Sequence, residues 1–248
     1  MKVILYGFGL MGQKIYHQLK KENHQIQAVV SKFFNETIEE EMCESLKDFN
    51  NNEADVIIDF SHPDNLDDII QYVSDKEIKL VLATTGYSKE QLEKIKLLSE
   101  NHAIFQSYNT SFGISMVMKI LKASVEEFYQ NNFDIEILEK HHHHKIDAPS
   151  GTAKLLYQLM ADELGHIVEP IYDRSSLNEK REHHQIGLQA IRGGTIFGDH
   201  SIIFAGNDEI VEINHTALSK EVFVTGAIHA AKILLQKENG YYTLKNIY

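Results

Sequence analysis

The chain has 248 residues, with 24 Lys+Arg against 36 Asp+Glu, a formal charge of −12. That balance excludes a generally basic nucleic-acid binder and argues against an anionic membrane surface as partner, while leaving room for a local cationic site for a small anion. A hydrophobic fraction of 43%, one cysteine (Cys43) and no apolar run long enough to span a bilayer predict a globular, disulfide-free chain suited to a reducing compartment, the cytoplasm. The first 14 residues carry only a short apolar run and no small-residue cleavage site, which does not read as a signal peptide.

The first 110 residues alternate strand and helix. Strands are predicted at 2–6, 25–30, 55–60, 79–83 and 103–106, and helices at 11–21, 63–73 and 88–99. Such alternation with short links implies a parallel sheet with right-handed crossovers. Residues 33–54 are polar and acidic with weak periodicity and read as a surface excursion of helix and loop. The pattern then changes. A long helix at 113–129 precedes a strand at 134–139 and a helix after Gly151. Strand-like text then runs from 185 to 217, with Ala205-Gly206-Asn207-Asp208 as a hairpin signal. An open antiparallel sheet is expected there. A last helix at 221–236 returns to the first domain. The expected division is a dinucleotide-binding domain at 1–110, rejoined by 219–248, and a substrate-binding and oligomerisation domain at 111–218.

Gly7-Phe8-Gly9-Leu10-Met11-Gly12 follows the first strand and opens the first helix. In that context G-x-G-x-x-G fits a dinucleotide pyrophosphate. Gly7 permits the tight turn, Gly9 lets backbone approach the phosphates, and Gly12 lets helix and strand pack closely. The carboxylate that would hold a ribose 2′-OH is absent after the second strand, where Ser31 and Lys32 stand. These two suit a 2′-phosphate, unless Lys32 is simply a solvated lysine.

The most informative stretch runs from Glu139 to Ala153 and contains four consecutive histidines, His141 to His144. Zinc ligands are spaced as in H-E-x-x-H or C-x₂-C rather than contiguous, so no metal is expected. In extended backbone alternate side chains diverge, so only one or two of the four can face a common cavity. Pro149-Ser150-Gly151-Thr152 then opens a helix. Ser150 can cap it, and the free N–H groups of Gly151 and Thr152 form an anion site. Histidine and lysine just upstream add positive charge and dissociable protons, suiting a small carboxylate substrate and a protonation step. An ordinary capped helix with a charged approach loop is the competing reading.

The pattern Glu139, His141-His142, Lys145 and 147–153 resembles the signature of the 4-hydroxy-tetrahydrodipicolinate reductase (dihydrodipicolinate reductase) family. Supporting matches are the glycine turn, Asp59-Phe60-Ser61 with Pro63, Thr84-Thr85-Gly86, Ser107-Tyr108-Asn109 with Ser111 and Gly113, and Arg192-Gly193-Gly194 to His200. The resemblance covers nearly the whole chain. It implies an α/β protein whose N-terminal Rossmann-type parallel sheet is joined to a second α+β domain on a largely open sheet, assembled as a homotetramer. It implies NADH or NADPH bound by Gly7, Phe8, Gly9, Leu10, Met11, Gly12 and Lys32, with Ala83, Thr84, Thr85, Ser107, Tyr108, Asn109 and Thr110 on the nicotinamide side. His141 matches the proton donor or acceptor and Lys145 a proton donor, while His142, Gly151 and Thr152 match contacts to a small dicarboxylate substrate.

The implied reaction belongs to the diaminopimelate route to lysine. A 4-hydroxylated cyclic imine dicarboxylate loses water, hydride adds at C4, and the neighbouring ring carbon gains a proton. Ala83, Thr110 and Ser31 depart from the usual family residues, which bears on nucleotide preference more than on the reaction. Two other readings share the glycine turn. Another two-domain Rossmann amino- or imino-acid dehydrogenase leaves the 145–153 signature unexplained, and a non-catalytic dinucleotide sensor would have lost His141, Lys145 and Thr152.

Overall fold

The computed structural model describes residues 1–34, 37–49 and 53–248. The chain forms two compact units, one of Met1–Phe112 with Glu221–Tyr248 and one of Gly113–Lys220.

In the first unit the strands are β1 (Lys2–Tyr6), β2 (Gln25–Val30), β3 (Glu41–Cys43), β4 (Val56–Asp59), β5 (Lys79–Leu82) and β6 (Ala103–Gln106). The helices between them are α1 (Leu10–Lys21), α2 (Leu66–Val73) and α3 (Lys89–Leu98). A C-terminal strand at Gly240–Tyr242, preceded by a helix at Glu221–Leu234, completes a seven-stranded parallel sheet. Its order from the β3 edge is β3-β2-β1-β4-β5-β6 and then the C-terminal strand. The order reverses between β1 and β4, so a crevice opens outside the carboxyl ends of those strands, where open α/β sheets bind ligands.

Local chemistry explains these elements. β1, β4 and β5 are continuous apolar runs buried on both faces, as parallel strands under helices must be. Ser88 accepts from Gln91 N–H while the Gln91 side chain returns to Ser88 N–H, a capping box that starts α3. The 33–54 segment departs from expectation: Cys43, Leu46 and Phe49 are buried in the main core and β3 adds an edge strand. Residues 35–36 and 50–52 of it lie outside the described residues.

The second unit contains α4 (Phe112–Gln130) apart from its first residue, β7 (Asp134–His141), α5 (Gly151–Glu163), β8 (Glu169–Ile171), β9 (Gln185–Arg192), β10 (Gly198–Ala205) and β11 (Ile210–Ala217). Its open sheet has the order β11-β10-β7-β9-β8. The expected antiparallel sheet is in fact mixed. β10 runs antiparallel to β7 and β11, but β9 runs parallel to both β7 and β8. The cause is α5: a helix between β7 and the next strands carries the chain back to the starting end, which makes a parallel neighbour. Phe128 of α4 stacks on Phe204 of β10 at 4.1 Å, and Leu156 and Met160 of α5 are also buried.

With all earlier elements placed, the helix at Glu221–Leu234 is α6 and the strand at Gly240–Tyr242 is β12. Exposed Lys14–Glu221 and Lys232–Glu22 pairs lie between α1 and α6. A Cβ at Gly226 of α6 would fall directly onto the Thr110 carbonyl oxygen. Gly226→Ala gains helix propensity of about 1 kcal/mol but overpacks against rigid backbone, which typically costs roughly 1–3 kcal/mol. The clash should win, and urea denaturation should read a net destabilisation of up to about 2 kcal/mol.

Candidate functional site

Two sets of residues carry chemistry, one in each unit. In the first, Gly7 follows β1 with φ +97°, and a Cβ there would lie 2.5 Å from Phe60 O. Gly12 is packed onto the Gly7 carbonyl, so a side chain there would clash. Gly9, the N-cap of α1, is different: a Cβ would meet open space, no side chain caps the helix, and its first turn carries no acidic residue. Unclaimed backbone facing open space beside a helix N-terminus fits a phosphate group. Gly7 and Gly9 line a cavity of about 420 Å³ with Ser31, Lys32, Phe60 and Ser61.

Phe8 turns away from that cavity. Its ring is buried against Tyr16 and Phe34, leaving only its backbone for a ligand. Leu10 is exposed and Met11 half-buried. Lys32 is exposed, and Ser31 donates to Phe33 O. The same cavity carries Glu44, just after β3, which the sequence reading missed because β3 was not foreseen.

At the ends of β4 and β5, buried Asp59 accepts from Ser61 N–H, Ser61 Oγ and Tyr87 Oη at 3.1, 2.5 and 3.0 Å. Burial pushes its carboxyl pKa up against these bonds. Thr84 Oγ1 accepts from Ser61 N–H, so Ala83 and Thr84 are buried and fixed while Thr85 is exposed. After β6, Ser107 Oγ donates to Asn109 O and Asn109 Oδ1 accepts from Ser111 N–H. Tyr108 projects outward, whereas Thr110 is buried with its hydroxyl on Phe223 O.

In the second unit, β7 alternates buried and half-buried positions, and its buried face reads Ile135, Ile137, Glu139, His141. The period of two thus places an acid and a histidine side by side on a core face. Glu139 has no exposed surface and is fully engaged. Arg192 of β9 grips it with two bonds of 2.8 Å, His141 Nδ1 lies 2.6 Å away and Ser150 N–H donates at 2.9 Å. Burial opposes its ionisation, but Arg192, His141 and Ser150 together outweigh that and hold the carboxyl below the usual range.

His200 of β10, opposite Glu139 in register, meets Ser150 Oγ at 3.1 Å and packs edge-on to His141 at 5.3 Å. Burial first, and His141 second, push its pKa down to about 3. Ser150 also caps α5, accepting from Ala153 N–H, with Gly151 and Thr152 in the first turn.

The extended-backbone argument for the histidines holds only as far as His141. His143 and His144 lie in an exposed turn with their Nε2 atoms 2.8 Å apart. His142 is half-buried, and its Nδ1 has no hydrogen-bond partner among the described residues. Partial burial, then the neighbouring positive groups, lower its pKa. Lys145 reaches Asp147 at 2.7 Å and holds that carboxyl below the usual range. Arg192 donates to Asp147 O at 2.6 Å, tying this loop to Glu139. Among the described residues no group of three or more His, Cys, Asp or Glu is arranged to hold a metal ion. Nor is any helix among them long and apolar enough to cross a membrane.

Family models for the dihydrodipicolinate reductase N-terminus and C-terminus match residues 1–110 and 113–248. The chain belongs to the dihydrodipicolinate reductase family. It is 46% identical over 256 aligned positions to the 4-hydroxy-tetrahydrodipicolinate reductase of Exiguobacterium sibiricum, covering 100% of this chain and 96% of that protein. It is 42% identical over 247 positions to that of Staphylococcus aureus, covering 100% of both. Among solved structures, the dipicolinate-bound dihydrodipicolinate reductase of Paenisporosarcina sp. TG-14 superposes with a TM-score of 0.83. That match covers 100% of this chain and 99% of the other at 23% identity, a likeness of fold.

This family member should be acid-sensitive through His200. The unfolded histidine titrates at 6.5, the folded one at about 3, so between those values the unfolded state binds the extra proton. Stability is therefore fully present above pH 6.5 and falls as pH drops, by roughly 2 kcal/mol from this group at pH 5. Urea midpoints at pH 7 and pH 5 should diverge strongly in the native chain and less in His200→Gln.

Proposed function

We propose that the chain reduces 4-hydroxy-tetrahydrodipicolinate to tetrahydrodipicolinate with NADH or NADPH, in the diaminopimelate route to lysine. The observation that carries this reading is the buried Glu139–His141 pair at the end of β7, linked through Arg192 and Ser150 to Lys145 and the N-terminus of α5. These groups match the family signature and supply what the reaction needs: a proton-transfer group, a cation and an anion-binding helix terminus.

When bound, the reduced nicotinamide would supply the hydride for C4 of the substrate. The glycine turn, with Phe8, Leu10 and Met11 contributing backbone, would hold its pyrophosphate, and Lys32, which lines the same cavity as Gly7 and Gly9, would meet the adenosine ribose. Residues 83–85 and 107–110 line the nicotinamide side; the side chains of Thr84 and Thr110 are turned to protein partners, so they serve by fixing backbone. His141 transfers the proton to the neighbouring ring carbon. Lys145, now on Asp147, exchanges that partner for a substrate carboxylate or donates a proton. His142 and the N–H groups of Gly151 and Thr152 hold the dicarboxylate.

The division of labour follows: a dinucleotide-binding domain at 1–110 with 219–248, and a substrate-binding and oligomerisation domain at 111–218. A homotetramer joined through the second sheet is supported by exposed Ile191, Ile210 and Val211 on β9 and β11. A cytoplasmic setting is supported by the single, free Cys43.

The purified protein should consume nicotinamide absorbance only when the hydroxylated dihydrodipicolinate precursor is supplied. Lys145→Ala should then cut turnover strongly while calorimetry finds cofactor affinity nearly intact. His141→Gln should lose about 10²-fold or more, and His143→Gln should be near neutral. Folded protein with no substrate-dependent oxidation would refute the reading.

Both nicotinamide cofactors should bind, because no carboxylate ends β2. Lys32→Ala should weaken NADPH by roughly 5- to 150-fold, the scale of one charge-assisted contact, and leave NADH nearly unchanged. Paired dissociation constants at fixed ionic strength decide it. Equal losses would place Lys32 on the pyrophosphate or in folding.

A further inference from the structure

We infer that Glu139 is a positioning residue: it fixes the proton of His141 on Nδ1 and thereby makes Nε2 the nitrogen that exchanges a proton with substrate. The inference rests on the reading of His141 as the proton-transfer group and adds how that group is prepared.

Glu139 holds its charge because Arg192 grips both its oxygens, at 2.8 Å each. An ionised carboxylate only accepts hydrogen bonds. The nitrogen 2.6 Å from it, His141 Nδ1, must therefore be the donor. One ring nitrogen is thus committed to the protein, and among the described residues the His141 ring makes its hydrogen bond through Nδ1 alone.

The surroundings of Nε2 support the same assignment. Gly198 of β10 stands beside it, and a Cβ there would come within 3.0 Å of Nε2. Gly198 has no positive φ that would demand glycine, so the missing side chain serves clearance. His200 backs the ring, and its depressed pKa keeps it uncharged near neutrality, so it does not compete for the proton. The charged groups linked to this cluster, Arg192, Asp147 and Lys145, are already paired, as are Lys140 and Asp199 on the flanking strand positions.

In the step itself the imidazolium Nε2–H bond breaks as the substrate's C–H bond forms. The electron pair of the N–H bond stays on Nε2, leaving neutral imidazole with Nδ1–H still donated to Glu139. Solvent restores the Nε2 proton for the next turnover. Because Arg192 shares the carboxylate's charge, Glu139 orients the ring without acting as a proton carrier.

Glu139→Gln is the decisive variant. Its amide N–H can donate to Nδ1, which would move the ring proton to Nε2, the wrong tautomer. Nitrogen NMR of the His141 ring, assigned by difference with His141→Gln, should give Nδ1–H in the native chain and Nε2–H in Glu139→Gln. Turnover should fall about 10²-fold or more with KM and cofactor affinity held within about twofold. If the lone Arg192 charge unfolds the variant, Glu139→Gln with Arg192→Met removes it; because Arg192 also ties down the Lys145 loop, that double variant is read by its tautomer alone, with Nε2–H expected and Nδ1–H overturning the inference. An unchanged tautomer, or a switched tautomer with turnover intact, overturns the inference. Full turnover in His141→Gln would instead overturn the reading of His141 itself. Gly198→Ala should independently cost about 10-fold in turnover with cofactor affinity unchanged, the cost of a small displacement at a reacting atom; normal turnover there removes the clearance role.

Discussion

The second unit is organised around one buried carboxylate. A charge with no exposed surface is tolerable only when every lone pair is answered, and Glu139 is answered from three directions. Arg192 comes from the neighbouring strand, Ser150 N–H from the start of α5, and His141 from two residues along β7. Each bond also positions its donor. Arg192 has capacity left for Asp147 O and so anchors the loop that carries Lys145. Ser150, with its N–H spent on Glu139, turns its hydroxyl to cap α5 and to meet His200. Removing any one partner leaves a desolvated charge or an orphaned donor, so the arrangement is held together as a set.

The first unit solves a different problem, bringing backbone close to a large anion. It does so by crowding at two glycines and vacancy at the third. Gly7 and Gly12 are pressed against Phe60 and against each other's backbone, while Gly9 faces open space. The crowding follows from packing β1, β4 and the start of α1 tightly together, and the vacancy from ending β1 at the point where strand order reverses. Asp59, one strand over, holds the adjoining turn through Ser61 and Tyr87.

Much of this was legible because it depends on local patterns. The buried parallel strands are continuous apolar runs, and the glycine turn and the Ser150 cap are short motifs whose physics is contained in their spacing. What was not legible depends on partners distant in sequence. The second sheet is mixed rather than antiparallel because α5 sends the chain back beside β7, and alternation within a strand carries no record of its neighbour's direction. The short edge strands β3, β8 and β12 have three residues each, too few for a period to register. Glu139 stood in the motif without a role, since the residue that explains its burial, Arg192, is 53 positions away. The hydroxyl of Thr110, in the loop expected to line the nicotinamide side, satisfies a carbonyl of α6 that lies 113 positions away.

The acidic total charge raises a question about binding a dianion. The nearest cations do not answer it alone, since Arg192 is neutralised by Glu139 and Lys145 by Asp147. Net positive potential must come from groups whose charge is not matched, and the N–H groups at a helix start are of that kind. Among the described helices, α2, α3 and α6 carry an acidic residue in the first turn, which would cancel the dipole there. The two helices proposed to meet anions, α1 at the glycine turn and α5 at Ser150, carry none, and neither does α4. A chain with 12 more acids than bases has thus kept carboxylates out of the first turn of both. At physiological salt the remaining surface charge is screened beyond about 8 Å, so the local exclusion governs what a bound anion experiences. Lys145 adds to this only when Asp147 releases it. A substrate carboxylate exchanging into that pair therefore replaces one anion by another and leaves the cation no less satisfied than before.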